Sequence, residues 1–124
     1  MPEYLSPEWF AAADALLRAD AGLRERSRGV HLVLQQSVLD DGEVLVWHLT
    51  FDDGSVSLTP GPAETAPDVA FECDRATADA VRDGTESAQS AFIQGRLRIE
   101  GSAGALLHHT GLFDELDDVL RPLR

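Results

Sequence analysis

Two copies of the tripeptide Asp-Asp-Gly, at residues 40–42 and 52–54, constrain this chain more than any other feature. Each sits between β-rich runs: Val30 to Leu39, Glu43 to Phe51, and Ser55 to Thr59. A tight hairpin turn needs positive φ at its centre, which Asp-Gly tolerates and most residue pairs do not. The spacing therefore predicts three antiparallel strands in a meander. Pro60 ends the third, because proline has no N–H to give the ladder. A rigid loop from Pro60 to Pro67 follows, and Val69, Phe71 and Cys73 then alternate as a fourth strand.

Helix signals flank the meander. Ser6 is a cap, Pro7 suits the first helical position, and Trp9, Ala13, Leu16 and Leu17 recur at helical spacing. Gly22 reads as the stop, and Leu23 to Gly29 as a charged connector. Asp74 and Ser87 each cap a predicted helix, ended by Gly84 and Gly95. Leu97 and Ile99 alternate with Arg96, Arg98 and Glu100 as a fifth strand. Ser102 caps a helix through His109, Gly111 breaks it, and Leu112 to Leu120 follows with one apolar face. Strands grouped by hairpins, rather than alternating with helices, predict an α+β fold. Its sheet is five-stranded and mainly antiparallel, covered on one face by about five helices. No linker long enough to divide the chain is visible, so residues 1–124 read as a single domain.

Charge excludes some partners. Twenty-two acidic residues against ten basic ones give a net charge of −12. That surface repels phosphate backbones and anionic headgroups, so neither nucleic acid nor a stable membrane anchor is expected. Cys73 is the only cysteine, which excludes an internal disulfide and suits a reducing, cytoplasmic setting. The opening residues lack the basic-then-apolar pattern of a secretion signal, and no apolar run reaches spanning length.

Reactive groups form no convincing catalytic constellation. Asp40-Asp41 and Asp52-Asp53 precede glycine in turns and lack the spaced acidic pattern of a calcium loop. Asp117 and Asp118 fall on the polar side of the last helix. His108 and His109 are adjacent, so on a helix they point about 100° apart, poor geometry for one metal. His31 and His48 have no partner at ligand spacing, and one cysteine makes no zinc pattern. Gly101-Ser102-Ala103-Gly104 is not a nucleophile elbow, and Cys73 ends an apolar strand face. No catalytic residue, metal or cofactor is expected.

Apolar residues carry what remains. Trp47, Leu49 and Phe51 share one face of the second strand, and Phe71, Leu97 and Ile99 supply matching positions. Phe92, Leu107, Leu112, Phe113, Leu116 and Leu120 supply helical cover. Periodicity alone does not separate a packed core from the lining of a cavity.

One stretch goes further. Ser87-Ala88-Gln89, Ala91-Phe92, then Gly95-Arg96-Leu97-Arg98-Ile99 and Gly101 closely resemble the signature of the sterol-carrier-protein domain family. Pro67 to Phe71 and Trp47 to Gly54 resemble that family's fourth strand and its second strand with the following turn. The resemblance implies an elongated apolar tunnel between sheet and helices. It also implies non-covalent carriage of a sterol, fatty acid or fatty-acyl thioester, with no chemistry by the domain itself. The twelve apolar residues named above would then line the tunnel. Two alternatives stay open. One is a non-catalytic module with a filled core that partners an enzyme of lipid or steroid metabolism; the other is an enzyme in its own right, disfavoured by the missing triad and metal patterns.

Overall fold

The computed structural model describes residues 3–123, apart from the side chains of Ala103, Thr110 and Asp117. The reading of Asp117 therefore lies outside the described residues. In chain order the elements are α1 (Pro7–Ala19), α2 (Ala21–Arg26), β1 (His31–Asp40), β2 (Glu43–Asp52), β3 (Ser55–Pro60) and β4 (Val69–Asp74). Then come α3 (Arg75–Asp83), α4 (Ala88–Ile93), β5 (Leu97–Gly101), α5 (Ala103–His108), α6 (Thr110–Leu120) and a closing 3₁₀ turn, Arg121–Leu123. The fold is α+β, with a five-stranded sheet in the order β3-β2-β1-β4-β5.

Both Asp-Asp-Gly turns form as the sequence predicts. Asp41 and Gly42 have φ of 52° and 83°, and Asp53 and Gly54 have 48° and 93°. Two positive values in succession match the right-handed twist of the flanking strands. The meander β1-β2-β3 is antiparallel throughout, and β5 pairs antiparallel with β4. Among the described residues the single parallel pairing joins β1 to β4. Asp68 holds it: its backbone N–H donates to the Val33 carbonyl at 2.9 Å, and its carboxylate accepts from the Val33 N–H at 2.8 Å.

Capping decides the helix boundaries. Ser6, Asp20, Asp74, Ser87 and Ser102 each accept a backbone N–H through the side chain. Two expectations are corrected. Residues 23–29 are not simply a connector: Asp20 accepts the Leu23 N–H at 2.8 Å and starts α2, whose Leu23 is fully buried. The break before the last helix falls at His109, not Gly111. His109 leaves the helical region, with φ −112° and ψ 24°, and its carbonyl accepts the N–H groups of Leu112 and Phe113. The chain thus restarts from His109, and Gly111 lies inside the first turn of α6.

The core lies between one sheet face and the helices. Leu32, Leu34 and Val38 of β1, Trp47, Leu49 and Phe51 of β2, and Val56 and Leu58 of β3 are all buried there. α1 packs over β3, with its Trp9, Phe10, Ala13 and Leu17 buried. The Phe10 and Trp47 rings lie 5.5 Å apart. α6 packs against α1 and α2, and its Leu112 and Leu116 are buried.

Candidate functional site

Register defines the two faces of the sheet. Residues paired across adjacent strands project to the same side. Leu34 pairs with Leu49 and Val69, Gln36 with Trp47 and Phe71, and Phe71 in turn with Ile99. These residues, with Val38, Cys73 and Leu97, form the inward face. The outward face carries His31, Gln35, Ser37, Thr50, Glu72, Arg98 and Glu100, interspersed with apolar residues of which Leu39 and Val44 are 45% and 56% exposed.

The inward face is unevenly covered. Over β1, β2 and β3 its apolar residues from Trp47 to Phe51 and from Val56 to Leu58 are at most 5% exposed. Over β4 and β5 only Val69 is sealed; Phe71, Cys73, Leu97 and Ile99 are partly buried. α3 and α5 pack on β4 and α4 on β5, and α4 and α5 are only six residues each. Such short elements present few side chains, so the cover is thin. Phe92 and Ile93 of α4 are 50% and 74% exposed, and Leu107 of α5 is 73% exposed. Large apolar groups left in water beside a half-covered apolar face make this margin the candidate site for an apolar ligand.

The sequence-selected residues divide along this line. Trp47, Leu49, Phe51, Leu112 and Leu116 lie in the sealed core. Phe71, Ile99, Phe113 and Leu120 are partly buried at its margin, and Leu97 is partly buried on β5. Phe92 and Leu107 are exposed on the covering helices. The structure thus brings the β4–β5 residues beneath α4 and α5, and sets the β2 trio under α1 and its neighbours.

Electrostatics keep this margin neutral. Burial, with help from the Asp74 and Glu72 carboxylates, pushes the Cys73 thiol up from 9.0 to about 11. It stays protonated near neutral pH and behaves as a small apolar group. Hydrogen bonds from Thr77 hold the Asp74 carboxyl below its usual range, as the cap requires. The arginines flanking Leu97 face away: Arg98 sits 3.6 Å from Glu72 and 3.8 Å from Glu100, and Arg96 pairs with Glu86. A polar hollow of about 490 Å³ lies elsewhere, by the β2–β3 turn, lined by Arg18, Arg24 and Arg28. Its cations are engaged, with Arg18 on Asp14 at 2.8 Å, Arg24 on the Arg18 carbonyl at 2.8 Å and Arg28 on Glu25 at 3.3 Å. Among the described residues no cluster of three or more His, Cys, Asp or Glu side chains could hold a metal ion. No described helix is long and apolar enough to cross a membrane.

One residue escaped the sequence reading. Gln36 interrupts the inward series Leu32, Leu34, Val38 on β1 and stands between Trp47 and Phe71. A polar residue at an apolar beat of the two-residue period was the available signal.

The solved structures share this architecture. A conserved hypothetical protein of Thermus thermophilus, described as a candidate sterol carrier protein, is 23% identical with a TM-score of 0.78, covering 97% of this chain and 89% of that one. A sterol carrier protein 2 is 23% identical with a TM-score of 0.76, covering 96% and 98%. A stereoselective inverting sec-alkylsulfatase from a Pseudomonas species contains the same fold in 14% of its length, at 16% identity and a TM-score of 0.55, matching 84% of this chain. Among curated proteins none matches. The model of the SCP-2 sterol transfer family matches residues 13–114, from the middle of α1 into α6. With the uneven sheet cover and the Ser87–Gly101 signature on α4 and β5, that match makes the chain a member of the SCP-2 sterol transfer family.

Proposed function

We propose that this protein binds a lipid non-covalently and carries it, with the apolar part of the ligand held in a tunnel between the inward face of β4–β5 and the helices α4, α5 and α6. The observation that carries this reading is the half-covered apolar face flanked by exposed Phe92, Ile93 and Leu107. Family membership supports it. A sterol, a fatty acid or a fatty-acyl thioester each supplies the required apolar surface. Each methylene that leaves water contributes about 0.8 kcal/mol, less the cost of ordering the ligand. The sealed β1–β3 half acts as the rigid wall, and the short helices act as the part that adapts. The domain performs no chemistry of its own in this reading, and residues 1–124 work as one unit. A lone thiol suits a reducing, cytoplasmic compartment.

An accessory role beside a lipid-metabolising enzyme is the second reading. It draws on the recurrence of the fold within the much longer alkylsulfatase chain.

Titration of the full chain with a fluorescent fatty acid separates the two. Leu107 is 73% exposed, so Leu107→Asp leaves folding unperturbed. The substitution weakens binding by about tenfold or more, because a carboxylate must then lose water against an acyl chain. Arg98→Ala, on the outward face, leaves binding unchanged. Absence of binding to wild type, or equal effects of the two substitutions, overturns the carrier reading.

A further inference from the structure

We propose that Gln36 is a specificity-determining contact, selecting lipids that present an uncharged oxygen, hydroxyl or carbonyl, to the inner end of the tunnel proposed above. This rests on the carrier reading above and specifies its ligand.

The placement follows from register. Trp47, Gln36, Phe71 and Ile99 form one row across β2, β1, β4 and β5, all on the inward face. Adjacent strands lie about 4.8 Å apart, so Gln36 stands about 10 Å in from Ile99 along that row. Ile99 and Phe71 are partly buried, whereas Trp47 is 3% exposed. A ligand entering over β5 and lying across Ile99 and Phe71 therefore meets Gln36 where the open half of the face ends against the sealed half.

The chemistry follows from the amide. Gln35, one residue earlier, faces the other side and its Oε1 accepts the Ala63 N–H at 3.0 Å. Gln36 is partly buried, and among the described residues its side-chain amide has no hydrogen-bond partner. Nor is the amide sealed: among the described residues the one buried side-chain N or O atom without a partner is the Trp9 Nε1. An amide set among Leu34, Val38, Trp47 and Phe71, reachable yet unpaired, offers one acceptor and two donors to a ligand lying on this face. It carries no charge, and the arginines flanking Leu97, Arg96 and Arg98, face away and are engaged with carboxylates. A buried carboxylate would have no cation to meet there, whereas a hydroxyl or carbonyl is satisfied by the amide. A site built to hydrogen-bond an oxygen also disfavours the analogue that lacks it.

Two matched pairs test this: ricinoleate against oleate, which differ by a mid-chain hydroxyl, and cholesterol against cholestane. Each is titrated into wild type, Gln36→Leu and Gln36→Met, the last keeping side-chain length without the amide. Wild type is expected to bind the oxygenated member of at least one pair about tenfold more tightly. Both variants are expected to bring that ratio to within about twofold while binding the plain lipid at least as well as wild type does. Wild type that binds plain lipid with no preference overturns this proposal and leaves the carrier reading standing. So does a preference that survives in both variants. Failure of all four lipids to bind overturns both.

Discussion

Gly101 admits no side chain. Its φ is 107°, and a Cβ there would lie against the carbonyl oxygen of Asp68, the residue that clamps β4 to β1. Gly29 also has positive φ, 76°, but nothing lies within 4 Å of where its Cβ would stand. The pair separates backbone preference from space. Urea unfolding should show Gly29→Ala costing about 1 kcal/mol, the left-handed penalty alone. Gly101→Ala should cost about 3 kcal/mol or more, because backbone must also move. Two titrating groups make the fold weaken in alkali. Burial pushes Cys73 from 9.0 to about 11, and burial, with the neighbouring Cys73, pushes Tyr4 from 10.0 to about 12. Above the ordinary values the unfolded chain has released protons that the folded chain still holds, so rising pH favours unfolding. Stability should fall from pH 9 through about 11 with Cys73 and from pH 10 through about 12 with Tyr4. Cys73→Ala should flatten the first part of that fall when melting is followed against pH.

At the scale of elements, α1 protects an edge. β3 is an outer strand, and an outer strand exposes unpaired N–H groups that invite another chain. Asp14 of α1 accepts the Leu58 N–H at 2.8 Å with one carboxylate oxygen and meets Arg18 Nε at 2.8 Å with the other. Asp14→Ala should cost about 2 kcal/mol in urea unfolding, the range for a hydrogen bond to a charged group. It should also raise self-association in size-exclusion chromatography by freeing the β3 edge.

For the whole molecule, burial is uneven between the two halves of the sheet. β2 and β3 are sealed beneath α1 and its neighbours, whereas β4 lies beside α3 and the six-residue α5, and β5 beside the six-residue α4. A lipid that fills the second half should order it. Oleate at about one hundred times its Kd should add about 2.7 kcal/mol to stability. Hydrogen exchange should slow most in α4, β5 and α5 and least in β1 to β3. Uniform slowing across the sheet would mean that the ligand sits elsewhere.

Local chemistry made much of this legible from residues alone. The Asp-Asp-Gly turns dictate the meander because so few residue pairs accept two positive φ angles. The capping residues announce their helices because orphan N–H groups need an acceptor nearby in the chain. The Ser87–Gly101 stretch carried the family resemblance, and the family match now spans it. Tertiary structure decided what depends on partners distant in sequence. Gly22 reads as a helix stop until the Asp20 carboxylate is seen starting α2, which places Gly22 inside that helix. Trp47 and Phe71 are both large apolar residues at strand beats, yet one is sealed and the other only partly covered. That difference comes from which helix crosses above each strand, and Gln36 acquires its meaning only because it falls on the line between them.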